Sequence, residues 1–516
     1  MSSETADGTF AGGIGGTRRV LITGSVMLAT IMQAVDMTIA NVALPNMQGT
    51  LATTQDQIAW VLTSYIVTAA IMMPPTGFLA GRFGRKRLFI IAVVGFTATS
   101  MLCGYADSLT EMVLYRILQG AFGAFLVPLS QAVLLDIYPP EQHGTAMAIW
   151  GMGVMIGPII GPTLGGYLTE YYNWRWVFFI NLPIGLLALA GILTVLPETA
   201  VDRVRRFDWF GFALLGIAVA SFQIMLDRGE LKDWFDSTEI IIEAVLAVLT
   251  MYMFVVHMLT TTSRPFIDPH IFTDRNFVIG LVQIILFGVL LLTGLALLPP
   301  FLQNLLGYPV VTVGLVLAPR GLGAMAGMVV VSQVNKFIDM RYLMVFGLIL
   351  IAWSMWEMTL FTADVSMFTL LWTGIVQGIG FGFFYVPLTV MSFTTLPHHY
   401  RTEAAGMFNL CRNVGSSVAI SVLIGLVIRY TQINHAEIAG MVSLYSPMIG
   451  AADYPDMWSL AEPAGRAALN TEVSRQAATI AYLNDFKLMT IVSILAIPLP
   501  LLFRKQILGK DASANT

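Results

Sequence analysis

Two ionisable residues stand where the surrounding sequence is too apolar for charge: Asp36 in ATIMQAVDMTIANVAL and Arg116 in LYRILQGAFGAF. A charge at the centre of a membrane-spanning helix costs about 2.5 to 3.5 kcal/mol on insertion scales, so it normally faces a water-filled cavity or a partner. At 1.5 Å per residue, Asp36 lies roughly 24 Å along a helix that starts near Val20, and Arg116 about one and a half turns into its own helix from the opposite surface. The two are therefore expected at similar depth, able to pair directly or through water. A guanidinium beside a carboxylate favours the charged form, and its withdrawal favours proton uptake. Such a pair offers a proton-coupled switch; the plain alternative is a static ion pair between helices. Gln33, Thr38 and Asn41 flank Asp36, and Gln119 follows Arg116 by one turn, so their polar ends could face the same cavity. Each could equally make an interhelical hydrogen bond worth about 0.6 kcal/mol.

The second half of the chain carries further polar candidates for a substrate cavity. Arg320 follows Pro319 in mid-helix and Arg412 lies about nine residues into its apolar stretch; either binds anionic groups or pairs with backbone carbonyls at a kink. Glu357, in WSMWEMTLF, either faces a cavity and attracts cations, with Trp353 and Trp356 offering aromatic faces, or belongs with those tryptophans to an interfacial belt. QGIGFGFFYVP (Gln377 to Pro387) mirrors QGAFGAFLVP (Gln119 to Pro128), an internal repeat that matches Gln377 to Gln119.

The elements that position these residues are membrane helices. Of 516 residues 56% are hydrophobic and 11% charged, the mean hydropathy is +0.76, and soluble domains average about a quarter charged. About fourteen stretches are long enough to span a bilayer: 20–44, 58–79, 87–105, 111–134, 144–168, 176–196, 209–227, 239–259, 276–300, 311–333, 342–361, 367–393, 403–428 and 487–503. Arg18, Arg19, Arg82, Arg85, Lys86, Arg87, Arg203, Arg205, Arg206, Arg264, Arg275, Lys336, Arg341, Arg401, Arg504 and Lys505 fall on alternate loops and the termini. The positive-inside rule makes that side cytoplasmic. The first helix, with Gln33 and Asp36 inside it, reads as retained rather than as a cleaved signal.

Fourteen spans divide as six, two and six. The expected organisation is a cytoplasmic tail (1–17), an N-terminal six-helix bundle (18–200), an inserted transmembrane hairpin (201–262), a C-terminal six-helix bundle (263–505) with a periplasmic loop at 429–486, and a second tail (506–516). The polar outer loop includes an expected amphipathic helix over 462–482. Cys103 and Cys411 lie in apolar stretches and imply no disulfide framework. No Walker sequence, HExxH or His/Cys cluster is present, so neither nucleotide hydrolysis nor a metal or other cofactor is called for. Energy for any transport must come from an ion gradient, and nothing in the chain calls for a nucleic-acid partner.

GMGVMIGPIIGPTLGG, 151 to 166, repeats Gly153, Gly157, Gly161 and Gly165 every fourth position, followed by Gly166 and interrupted by Pro158 and Pro162. The glycines leave a strip for close approach of a second helix and the prolines bend the first. In a soluble helix each glycine would cost about 1 kcal/mol relative to alanine. This segment resembles the antiporter motif of drug:proton antiporters in the major facilitator superfamily. DMTIANVALP (Asp36 to Pro45) resembles the helix-1 signature of its fourteen-helix branch. GFLAGRFGRKR (Gly77 to Arg87) is similar to the cytoplasmic gating motif, which implies roles for Gly77, Arg82, Gly84, Arg85 and Lys86. RILQGAFGA (Arg116 to Ala124) is similar to the motif whose arginine is linked with proton transfer. NWRWVFFINLPIG (173 to 185) and QIMLDRGELKDWF (223 to 235) look close to EmrB-like exporters of Gram-negative bacteria. One position departs: Gly81 stands where the gating motif usually has aspartate, so the latch between halves cannot form from there.

The resemblance implies an all-α integral membrane protein with the major facilitator fold, two six-helix bundles plus an inserted two-helix hairpin. It further implies a proton-driven multidrug exporter of the inner membrane, both termini cytoplasmic, with small-molecule drugs and protons as ligands. A periplasmic membrane-fusion adaptor and an outer-membrane channel are the implied partners. A non-transporting sensor or scaffold and a narrow-substrate proton-coupled carrier remain the alternatives.

Overall fold

The computed structural model describes residues 16–199, 201, 207–261, 265–362, 364–442, 458 and 462–504. Most of the first tail, the whole second tail, Arg203, Arg205, Arg206, Arg264, Lys505 and the middle of the outer loop lie outside the described residues. Among the described residues seventeen α-helices occur in the order α1 (Gly16–Thr50), α2 (Gln55–Ile58), α3 (Trp60–Met72), α4 (Thr76–Phe83), α5 (Arg85–Tyr105), α6 (Leu109–Ile137), α7 (His143–Tyr171), α8 (Trp176–Phe179) and α9 (Asn181–Val195). They continue with α10 (Trp209–Arg228), α11 (Thr238–Thr260), α12 (Arg275–Pro300), α13 (Val310–Val334), α14 (Met340–Met358), α15 (Met367–Phe393), α16 (Arg401–Met441) and α17 (Pro463–Ala496). No strand occurs among the described residues.

Apolar runs longer than a bilayer is thick have nowhere else to satisfy their backbone groups, so they become helices. Among the described residues thirteen helices are long and apolar enough to span, or fourteen when α3 and α4, bent by 60° across Pro74 and Pro75, count as one. Short polar residues stop the ends: Ser108, Asp274 and Ser366 each accept a hydrogen bond from a backbone N–H in the first turn of α6, α12 and α15.

Helices α1 to α9 form one half and α12 to α17 the other, with the hairpin α10–α11 between them in sequence. The halves meet mainly where α7 lies along α13 and where α16 crosses α4 and α6. Helix α10 packs on α3 of the first half and on α16 of the second. Gln223 donates to the Ser417 hydroxyl at 2.8 Å, and Ser421 donates to the Leu226 carbonyl.

The stretch 429–486 is not a loop throughout. Helix α16 continues to Met441 and α17 already begins at Pro463, so both run unbroken out of their spans and pack together. The helix expected over 462–482 exists as the first part of α17 rather than as a separate cap. Both segments carry strong helix formers with no internal proline after Pro463, so nothing ends the helix at the membrane surface.

Candidate functional site

Asp36 sits in α1 with no exposed surface, and three donors from two other helices close on its carboxylate. Arg116 Nη1 reaches Oδ2 at 2.8 Å, Gln119 Nε2 reaches Oδ1 at 2.9 Å and Asn181 Nδ2 reaches the same oxygen at 2.8 Å. The guanidinium spends its other donors on the Val61 carbonyl (3.0 Å) and the Gln119 side-chain oxygen (2.8 Å), and the Tyr65 ring lies 4.2 Å from its carbon. Gln33 donates to the Tyr65 hydroxyl at 3.3 Å. Asn181 also donates to Ser100 on α5, at 2.9 Å. An acid and a base are therefore held together by α1, α6 and α9, inside protein rather than lipid. Removing either charge would leave the other buried and uncompensated, which is far costlier than the pair itself.

Asp36 and Arg116, expected at similar depth, thus meet, with Gln119 bonded to both and Gln33 reaching them through Tyr65. Thr38 and Asn41 behave otherwise. Thr38 turns to the glycine helix and donates to the Gly157 carbonyl at 2.9 Å, so its hydroxyl serves helix packing rather than the cavity around Asp36. Asn41 is exposed and one turn beyond. Asn181 and Ser100 were missed, although an asparagine in INLPIGLLALAG is a polar group without reason in an apolar helix.

The glycine stripe of α7 faces α1. A methyl group on Gly157 would stand 2.3 Å from the Ala34 carbonyl oxygen, one on Gly161 2.0 Å from Thr38 Oγ1, and one on Gly153 1.9 Å from the Met27 side chain. Gly165 meets Ile39 at 2.9 Å, whereas Gly166 has open space. The other side of α7 meets α13, where Ile159 and Thr163 fill the room above Gly321 and Gly314.

At the end where α1 begins, Asp136 of α6 supplies the carboxylate that Gly81 does not. Arg85 pairs with its Oδ2, and Arg401 of the second half with its Oδ1 at 3.1 Å. Gly77 lies against the backbone of Glu403, 2.5 Å from where a side chain would begin, so α4 and α16 touch there. Gly84 takes φ +88°, the left-handed region in which glycine is favoured. Lys86 donates to the Leu193 carbonyl and Arg82 is exposed. Deeper in, Asn409 of α16 donates to Gln131 of α6 at 2.8 Å. The two halves are thereby shut against each other on this face.

The sequence profile of the Major Facilitator Superfamily matches residues 26–420. The chain belongs to this superfamily. It is 37% identical over 435 residues to the multidrug export protein EmrB of Escherichia coli K12, covering 84% of this chain and 85% of that one. It is 34% identical to the probable multidrug resistance protein EmrY of the same strain, over 92% and 93% of the two chains. The fatty acid resistance protein FarB of Neisseria gonorrhoeae is also 34% identical, over 93% and 94%. The human organic anion transporter MFSD10 superposes with a TM-score of 0.59 at 12% identity, covering 92% of this chain and 99% of that one, and shows the fold alone. Membership of the superfamily sets the chain among transporters rather than enzymes, as a multi-pass membrane protein.

In the second half of this superfamily member the candidate residues do not converge on one carboxylate. Arg320 is 5% exposed; its Nη2 donates to the Leu291 carbonyl at 3.0 Å, its Nη1 has no partner, and its guanidinium lies 5.1 Å from the Phe381 ring. A cavity of about 10 Å³, the size of one water, adjoins it among Leu298, Val316 and Thr373. Gln377 is fully buried with neither amide atom bonded. Arg412 is half-buried and faces the Tyr385 hydroxyl. Glu357 accepts from the Trp353 indole at 3.2 Å, and that ring is 48% exposed on the outside of α14, so the belt arrangement describes it and a cavity wall does not. No group of three or more His, Cys, Asp or Glu side chains suited to a metal ion occurs among the described residues.

Proposed function

We propose that the chain is a proton-driven multidrug exporter of the inner membrane, with both termini in the cytoplasm, working by alternating access of its two halves around the buried Asp36. The observation that carries this reading is the Asp36–Arg116 pair, sealed inside the first half behind the Arg85–Asp136–Arg401 latch. The transported class in this reading is amphipathic or hydrophobic toxic compounds, which the multidrug export, multidrug resistance and fatty acid resistance names of EmrB, EmrY and FarB support.

In this reading the ionised Asp36 holds α1 to α6 and α9 through its three donors. A proton arriving from the periplasm removes the charge to which Arg116 is drawn and weakens that hold, which favours the inward-open return. Substrate entering from the cytoplasm competes with the proton, and its release outside resets the pair. Gln33, Asn41, Gln377, Arg320 and Arg412 are the proposed substrate contacts. Gly77, Arg82, Gly84, Arg85 and Lys86 form the gate, with Asp136 as its acid. Gly153, Gly157, Pro158, Gly161, Pro162 and Gly165 form the close-packed helix against which α1 moves, while Gly166, facing open space, takes no part in that contact. The outer ends of α16 and α17 are the proposed docking site for a periplasmic adaptor leading to an outer-membrane channel.

The test is ethidium-triggered proton release from everted vesicles or proteoliposomes. The wild type is expected to release protons and Asp36→Asn to release none. A response unchanged in Asp36→Asn removes Asp36 from the coupling path, and no response to a broad drug panel favours a narrow-substrate carrier or a sensor.

A further inference from the structure

The segment QIMLDRGELKDWF (223 to 235) closes the hairpin between α10 and α11 and has no part in the transport cycle proposed above. Helix α10 leaves the latch side, where Phe207 packs on Phe78, and brings Asp227 and Arg228 to the opposite face. There, between the end of α10 and the start of α3, lies a cavity of about 150 Å³. At roughly 10 to 15 Å³ per water it has room for about ten, whereas the cavity beside Arg320 holds one.

Three charged side chains line it, the acid Asp227 and the bases Arg228 and Lys232. Asp227 is half-buried. Gln223 donates to its Oδ1 at 3.2 Å and the Thr63 hydroxyl faces it, and among the described residues no cation is paired with it. Neutral donors of this kind orient a carboxylate without cancelling its charge. Arg228 and Lys232 both pair with Glu239, which stands outside the cavity wall, Lys232 at 3.3 Å. Each pairing engages one nitrogen of a group with five or three N–H donors, so donors remain for an anion in the cavity. A ligand that satisfies both ends is a zwitterion, cationic towards Asp227 and anionic towards the two bases. The ring of Trp60, in the opposite wall, already carries the Arg228 guanidinium, 5.6 Å from its centre. The ligand's cation is thus left to the carboxylate, which favours a primary ammonium with N–H donors over a trimethylammonium.

The rim is apolar and faces outward. Leu231, in the cavity wall, is 58% exposed, and Phe235 on the same turn is 62% exposed. The turn holds an unusual shape: Asp233 and Trp234 take φ +56° and +53°, the left-handed region, in which a bulky residue is an outlier. Two bonds keep it there, from the Trp234 indole to Glu230 at 3.0 Å and from the Trp234 backbone N–H to the Gly229 carbonyl at 2.8 Å. Apolar side chains presented where two membrane helices end meet the boundary between headgroups and acyl chains, the level at which tryptophan and lysine serve as anchors. A zwitterion arriving at that level comes attached to acyl chains.

We propose that this cavity binds the headgroup of a zwitterionic aminophospholipid, with its ammonium on Asp227, its phosphate on Arg228 and Lys232, and its acyl chains along Leu231. The assignment goes beyond the antiport reading and does not depend on what the chain carries.

The experiment is native mass spectrometry of the full chain in detergent with equimolar dioleoyl phosphatidylethanolamine, phosphatidylcholine and phosphatidylglycerol. The wild type is expected to hold one phosphatidylethanolamine about tenfold more tightly than either of the others, which lack the N–H donors that Asp227 accepts. Asp227→Asn is expected to lose that preference, and so is Ala59→Phe, which fills the cavity without touching a charge. Lys232→Glu is expected to weaken all three lipids on the order of tenfold. A wild type that holds phosphatidylcholine or phosphatidylglycerol as tightly as phosphatidylethanolamine overturns the proposal. A preference that survives either Asp227→Asn or Ala59→Phe, or unchanged binding in Lys232→Glu, overturns it as well. Glycerophosphoethanolamine, the same headgroup without its chains, separates a lipid from a free solute. Displacement of the lipid at equal concentration assigns the cavity to a solute and overturns the proposal, and retention of the lipid supports it. If Asp227→Asn cannot be purified, Ala59→Phe carries the same decision.

Discussion

The first half buries an acid and a base against each other, with Asp36 and Arg116 2.8 Å apart. The second half, away from the latch residues Arg401 and Glu403, also buries an acid and a base, Asp485 and Arg320, and among the described residues neither has an opposite charge beside it. The matching amides sharpen the contrast. Gln119 both donates to Asp36 and accepts from Arg116, while Gln377, at the equivalent place in the repeat, is bonded at neither end. What the repeat preserves is the scaffold. Gly378 and Gly382 let α15 approach α13 as Gly120 and Gly123 let α6 approach α3 and α5. Close packing can be copied without copying the ionic work, because glycine spacing fixes helix distance and says nothing about which charges face each other.

Swapping each arginine for an apolar residue of similar length gives the largest expected difference. Arg116→Met strands Asp36 and is expected to cost about 3–5 kcal/mol and to abolish proton-coupled export. Arg320→Met removes a charge without stranding another, so thermal unfolding in detergent is expected within about 1 kcal/mol of wild type, or better. Equal losses in the two variants would break the comparison.

Next comes the packing beneath the ionic pair. Gly157→Ala forces a methyl group to 2.3 Å from the Ala34 backbone, and overpacking of this kind costs about 1–3 kcal/mol. Transport rate is expected to fall on the order of tenfold, the equivalent of about 1.4 kcal/mol. Gly166→Ala, facing open space, is the control and is expected to transport normally. A normal rate in Gly157→Ala would mean that α1 and α7 do not need their present distance.

An effect of comparable size is expected at the latch. Asp136→Asn leaves the mostly buried Arg85 and Arg401 without their shared acid, so labelling of a cysteine placed near Gly77 should speed up at least tenfold, the equivalent of about 1.4 kcal/mol of closure lost. The smallest effect is expected from Glu357→Gln, with resistance and efflux unchanged. Lost efflux of cationic dyes alone would return Glu357 to the substrate path.

Much of this was legible in the chain because membranes make polar residues conspicuous. Asp36 and Arg116 stood out against their apolar runs, and their depth followed from helix rise alone. The stripe from Gly153 to Gly165 announced close packing, though not that the helix received would be the one carrying Asp36. Asn181 was legible only as an oddity, since one asparagine does not say which neighbour it serves. Asp136 was hidden at the end of a span, where an acid reads as the start of a loop. Asp485 lay one residue inside the stretch that looked like outer loop, and an acid expected in water draws no notice. Both errors arise where a helix runs past the point at which hydropathy stops reporting it.

That continuation has a mechanical consequence. Helix α16 is a single rod of 41 residues, about 60 Å long, whose first turn is clamped by Arg401 and Glu403. A tilt of roughly 10° about that clamped end carries Met441 about 10 Å sideways. In the proposed transport cycle the outer tip of the rod, braced by α17, is a pointer that magnifies the opening and closing of a gate at the other side of the membrane. Anything resting on that tip can sense which way the molecule is open without ever touching what it carries.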